Sequence, residues 1–301
     1  MNRRKFLAGV GGATGLAFVP AAASGRDSRP NSPIREPGAH ELQAAVSEAG
    51  RQGYNVKAYG AVGDGKADDA PAIGAALTAA AGRTVYLPPG SYRLGSGLTT
   101  VGNLVGVAGF SVLMPDPGVR AALTVGNESV KPRTSLVAGI TINGTKNPSG
   151  TGLRLGYATR VASHLLVDRC EVLGFSGNGG VGIQFAECVN VVCQSCVSAA
   201  NGVGVLFSTA GATPGVPTLS SWKNGTVQLC TTGIEVVYGR VLSFERVEIS
   251  ANHGYGVHVH PSPKGTAAPI HFDHCWIEAN WLGKAANTYA VRVDGNAASS
   301  T

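Results

Sequence analysis

Charge is scarce in this sequence. Only 14% of the 301 residues are Asp, Glu, Lys or Arg, and 6% are aromatic. No apolar run reaches the ~18 residues that a membrane-spanning helix needs. Lys and Arg form no dense cluster, which argues against a nucleic-acid partner. Three units of the formal +6 come from Arg3, Arg4 and Lys5, and removing them leaves about +3. Cysteine is sparse, with six residues and one CxxC, Cys193 to Cys196. With no second CxxC and no HxxxH, zinc spacing is missing, and buried unpaired thiols are expected. The low charge does not imply disorder, because 44% of the chain is apolar. Glycine is abundant, with 43 residues, about twice the usual share. It follows no strict three-residue period, which excludes collagen. A Gly- and Val-rich chain of low charge points to an all-β fold with many turns.

The start has its own character. Arg3-Arg4-Lys5-Phe6-Leu7 precedes a short apolar stretch to Val19 and then Pro20-Ala21-Ala22-Ala23. Charged start, short apolar middle and small-residue end are the pattern of an export peptide. The paired arginines resemble a twin-arginine signal, with cleavage expected near Ala23. That implies a bacterial protein handed to the twin-arginine machinery. It would reach the periplasm or the exterior, with no membrane attachment after cleavage. Residues 24–53 read as a linker and a short helix carrying Leu42, Ala45, Val46 and Ala49.

Self-comparison of residues 54–301 gives the fold. A small residue followed by apolar-x-apolar recurs seven times, at Ala122, Gly152, Gly182, Gly204, Gly233, Gly256 and Ala290, in steps of 22 to 34 residues. A second series runs out of phase: Val167-Asp168-Arg169-Cys170, Cys193-Gln194-Ser195-Cys196, Trp222-Lys223-Asn224-Gly225, Phe244-Glu245-Arg246-Val247 and Phe272-Asp273-His274-Cys275. Each unit therefore holds at least two short strands of period 2. Strands this short bury nothing alone. Stacked in register at ~4.8 Å per step they complete one another's ladders and align like residues in columns. The expected fold is an all-β, single-stranded, right-handed parallel β-helix. Leu123, Leu153, Ile183, Val205, Ile234, Val257 and Val291 should form one inward column, and Cys170, Cys196 and Cys275 another.

Upstream stands Tyr54-Asn55-Val56-Lys57-Ala58-Tyr59-Gly60-Ala61-Val62-Gly63-Asp64-Gly65-Lys66-Ala67-Asp68-Asp69-Ala70-Pro71, followed by Thr84-Val85-Tyr86-Leu87-Pro88-Pro89-Gly90-Ser91-Tyr92. This closely resembles the opening of the pectate lyase superfamily of right-handed β-helix proteins, in its rhamnogalacturonase and epimerase branch. The resemblance implies that residues 54–95 cap the β-helix and 96–301 form its coils. Asp64, Asp68 and Asp69 then read as turn and helix-cap residues rather than a metal site, and the Ala-rich stretch that runs from there to Ala81 reads as an N-terminal helix capping the open end of the β-helix core.

Chemistry is expected on the outward positions of the apolar-x-apolar strands: Thr124, Arg154, Gln184, Leu206, Glu235, His258 and Arg292. Glu235, His258 and Arg292 are the most reactive neighbours, with Asn252, His253 and Tyr255 in the preceding turn. Polygalacturonases of this superfamily carry Asn-Thr-Asp, Asp-Asp and Gly-His-Gly on successive coils. Here the positions read Asn201-Gly202-Val203-Gly204, Cys230-Thr231-Thr232-Gly233 and Asn252-His253-Gly254, and both aspartate positions are lost. Hydrolysis normally needs two carboxylates, and the column offers Glu235 alone. Removing the C5 proton of a uronate needs a base and a cation near the sugar carboxylate. His258 or His253 could be the base, Arg292 or Arg154 the cation, and Glu235 could orient His258. Gln184, Tyr255 and Asn252 would help to bind the sugar. Calcium could replace the arginine, and Glu245, Glu248 and Asp273 offer oxygen ligands, although a surface ion pair with Lys223 explains them as well. The expected function is β-elimination on an acidic polysaccharide. A glycoside hydrolase, an epimerase and a non-catalytic glycan-binding β-helix stay open as alternatives.

Overall fold

The computed structural model describes residues 54–127, 133–157, 161–209, 217–261, 267, 269–280 and 289–294. The expected signal segment, linker and short helix, residues 1–53, lie outside them.

Three parallel sheets form the walls of a β-helix, one strand per wall per coil. Sheet 1 runs from Thr84–Tyr86 to Ile270–Asp273 in eight strands. Sheet 2 runs from Asp64–Asp68 to Trp276–Glu278 in nine. Sheet 3 runs from Leu98–Thr100 to Val291–Val293 in eight and carries the apolar-x-apolar repeat. Each coil thus has three strands where sequence periodicity revealed two. The third, in sheet 2, is mostly three residues long and shows too little alternation to be read.

The register is the expected one. Leu123, Leu153, Ile183, Val205, Ile234 and Val257 pair rung by rung and are fully buried. Each such side chain contributes roughly 1.5–3 kcal/mol on burial. Val291 pairs with Val257 but is 46% exposed, a departure from the expected inward column, because no described coil follows it. Phe185, Phe207 and Phe244 form a second interior row that the 37% exposed Phe272 continues, with neighbouring ring centroids 4.4, 5.9 and 4.8 Å apart and the middle contact edge-to-face. The small residues of the repeat are packing requirements. A Cβ on Gly182 would lie 2.4 Å from Ser198 Oγ, and one on Gly233 would lie 2.8 Å from Asn252 Nδ2.

The corner from sheet 1 to sheet 2 repeats one device. Arg169, Ser195, Asn224, Arg246 and His274 all have φ near +50°. A non-glycine residue there costs roughly 1–2 kcal/mol. The first four donate their backbone N–H to Gln194, Lys223, Glu245 and Asp273 of the next coil, at 2.9–3.0 Å, so the turn stays within the ladder. The residue after the turn points inward. Cys170, Cys196 and Cys275 share this position, and their thiols donate to carbonyls of Val137, Val167 and Phe244 at 3.3–3.5 Å. Burial pushes the thiols of Cys188 and Cys230 up to about 12. All six cysteines are free.

Helix α1, Ala70–Ala80, buries Ile73, Ala76 and Ala80 at the N-terminal end of the core. Asp69 stands at its cap position, but its carboxylate accepts from the N–H groups of Val62 and Gly63 at 2.6 and 3.0 Å. Asp68 accepts from Ala70 N at 3.1 Å instead, and Asp64 closes a turn by accepting from Lys66 and Ala67. The three carboxylates are structural.

Candidate functional site

Sheet 3 carries its outward residues in one column: Thr99, Thr124, Arg154, Gln184, Leu206, Glu235, His258 and Arg292 pair in succession. Glu235, His258 and Arg292 therefore occupy adjacent rungs, as the repeat predicted. They are not freely solvent-facing. Their side chains are 22%, 17% and 36% exposed.

The partners differ from those expected. Glu235 does not orient His258; its Oε1 lies 2.6 Å from His260 Nε2. His258 Nε2 meets Asp294 Oδ2 at 2.9 Å. Arg292 donates from Nε to both oxygens of Asp294, at 2.9 and 3.1 Å, and from Nη1 to the Tyr255 hydroxyl at 3.1 Å. Asp294 and His260 were missed because each lies one residue past the end of its strand. Alternation nevertheless puts both on the outward face, two residues beyond Arg292 and His258.

Asp294 settles the tautomer of His258. Hydrogen bonding from Arg292, and secondarily from His258, holds its carboxyl below the usual 3.8. An ionised carboxylate only accepts, so Nε2 of His258 carries a proton, and whenever the ring is neutral Nδ1 holds the lone pair. Stacking explains the low exposure of His258. Its ring lies 4.5 Å from that of Tyr255 and 4.2 Å from that of His260. The Arg292 guanidinium sits 5.7 and 5.8 Å from the ring centres of Tyr255 and Tyr289.

Asn252 does not belong to this face. It is fully buried, where its Oδ1 accepts from Cys230 N at 2.9 Å and its Nδ2 donates to Asn280 Oδ1 at 2.7 Å. Asn201 does the same two coils earlier, accepting from Phe175 N and donating to Val172 O, with Cys230 at the turn between them. This inner ladder satisfies backbone groups at the sheet 2 to sheet 3 turn. Asn252 is therefore a structural residue and not a sugar ligand. His253 is exposed in that turn, and among the described residues no side-chain contact ties it to His258. Gln184 stays outward and donates to Ser208 Oγ at 2.9 Å. Arg154 lies further along the column, with Nε buried and lacking an acceptor among the described residues.

No three His, Cys, Asp or Glu side chains converge on a metal position among the described residues. Glu245 instead pairs with Arg246 at 2.8 Å and Lys223 at 3.7 Å, while Glu248 accepts from Ser250. Asp273 meets His274 at 2.7 Å, so the acidic residues on these coils are taken up in surface pairs.

Comparison with known proteins agrees with this architecture. The chain is 60% identical over 47 residues to alginate lyase 7 of Azotobacter vinelandii and 61% identical over 44 residues to the mannuronan C5-epimerase AlgE6 of the same organism. These matches cover 15% and 14% of this chain, and only 6% and 5% of those relatives. Among solved structures, PfbA, a surface adhesin of Streptococcus pneumoniae, superposes with a TM-score of 0.57 at 15% identity, over 73% of this chain and 61% of the adhesin. The rhamnogalacturonase A/epimerase, pectate lyase-like family matches residues 53–258, well over half of the sequence, and the chain belongs to that family.

Proposed function

We propose that this is an exported enzyme that acts on an acidic polysaccharide by removing the C5 proton of a uronate and eliminating the O4 substituent. The observation that carries the reading is the stack of Tyr255, His258 and Arg292 on sheet 3, fixed from one side by Asp294. A lyase and a C5-epimerase among the relatives support it, because both reactions act at the carbon next to a sugar carboxylate.

The step divides among these residues as follows. His258 Nδ1 takes the C5 proton, while Asp294 stabilises the imidazolium that forms. The electron pair left on C5 spreads into the sugar carboxylate, beside the Arg292 guanidinium. The pair then forms the C4–C5 double bond as the C4–O4 bond breaks. The Tyr255 hydroxyl accepts from Arg292 and so keeps its own proton for the leaving O4. Proton exchange with water restores both residues.

A second reading has its own observation. Asp294 adds a carboxylate to Glu235 on the same face, the minimum set for glycoside hydrolysis. Product analysis separates the two. On a panel of uronate polymers, ultraviolet absorbance from unsaturated ends is expected. New reducing ends without absorbance would favour hydrolysis, epimerised polymer without cleavage would favour an epimerase, and no product at all would leave a binding protein. Export has a separate test: changing Arg3 and Arg4 together to Lys should retain the protein in the cytoplasm without affecting its fold.

A further inference from the structure

Four rungs before His258, sheet 3 forms a second feature. A cleft of about 310 Å³ opens beside Arg154 and is lined also by Thr99, Arg120, Thr124 and Tyr157. Arg154 is half-buried, and its Nε is shut off from solvent without an acceptor among the described residues. A buried donor left without an acceptor costs roughly 1–3 kcal/mol, more for a charged group. Arg120 stands exposed at the mouth. Two guanidinium groups facing one cleft repel each other, and an anion between them removes both penalties. The Arg154 guanidinium is correspondingly easier to deprotonate than usual, through burial first and Arg120 second, with Tyr157 and Glu187 offsetting this in part.

We infer that this cleft is a carboxylate-binding subsite, in which Arg120 and Arg154 together grip one acidic sugar of an extended glycan. The inference rests on the acidic-polysaccharide reading above and adds a distance to it. Arg154, Gln184, Leu206, Glu235 and His258 are successive rungs, so the cleft lies about 19 Å from His258 at ~4.8 Å per rung. A glycan laid along the column would reach both. Guanidinium suits the task because its planar fork can hold both oxygens of a carboxylate. Leu206 on the intervening rungs gives a sugar ring an apolar surface to rest on.

The test is direct binding, measured by calorimetry with a uronate hexasaccharide and with the same hexasaccharide after reduction of its carboxyl groups. The uronate form should bind, and Arg120→Ala should weaken it about tenfold or more, about 1.4 kcal/mol. Arg120 is exposed, so this variant should fold; Arg154→Lys, which keeps the charge but loses the fork, should also weaken binding. Equal affinity for the reduced sugar, an unchanged affinity in Arg120→Ala, or displacement by inorganic sulfate at concentrations equal to the hexasaccharide's would each overturn the subsite. Because the readout is binding, failure of the catalytic reading appears separately, as tight binding with no product.

Discussion

Two polar stacks run along the later coils, and they do opposite things. Asn201, Asn252 and Asn280 climb the inside of the sheet 2 to sheet 3 turn, fully enclosed and bonded to backbone. Glu235, His258 and Arg292 climb the outside of sheet 3 only a few residues further on, largely covered and bonded to one another's neighbours. Both are made of residue types that chemistry uses. Only the face of the coil separates a ladder that holds the turn from a site that could work on a sugar.

The largest effect that would sharpen this contrast is kinetic. His258→Ala should lower turnover by about 10²–10⁴, the range for loss of a general base, with a stability loss of only about 1 kcal/mol from the missing hydrogen bond to Asp294. Asn252→Ala should do the reverse. It strands the N–H of Cys230 and breaks the contact with Asn280, so unfolding should become easier by about 2–4 kcal/mol, read from denaturant midpoints. An Asn252→Ala protein of normal stability but no activity would put that residue back in the site.

A smaller effect concerns pH. The folded pKa of Asp294 is depressed below its ordinary 3.8 by Arg292 and His258. Its ionised form therefore stabilises the fold above about pH 3.8, and that contribution is lost as pH falls through the folded value. Asp294→Asn should be less stable than the parent at neutral pH, and the gap should close in strong acid. A gap that is flat down to low pH would show that the ion pair contributes nothing. The smallest effect is chemical reactivity. Buried thiols raised to about 12 at Cys188 and Cys230 are inert near neutrality. A thiol reagent should reach at most Cys275 in the folded protein and all six after unfolding.

Much of this was legible in the sequence because a β-helix repeats its physics. The column from Leu123 to Val257 and the triplet Glu235, His258, Arg292 follow from alternation plus register, and both stand where the repeat put them. Residues whose role depends on a turn were harder. Asn252 was read as outward because it precedes a reactive strand, yet the bend at Ala251, with φ of +54°, accompanies an amide that lies inside. Asp294 and His260 sit past the ends of their strands, where three-residue alternation fades, so the partners of His258 and Glu235 were misassigned. The short sheet 2 strands carried too little alternation to be counted.

If the outer stack removes a proton from C5, that proton must leave the sugar during turnover. A uronate polymer tritiated at C5 tests it most directly. During turnover the label should pass from sugar to water, and the release should fall with His258→Ala in proportion to activity. Depolymerisation with the tritium retained at C5 would rule out proton removal there and assign the stack to hydrolysis instead.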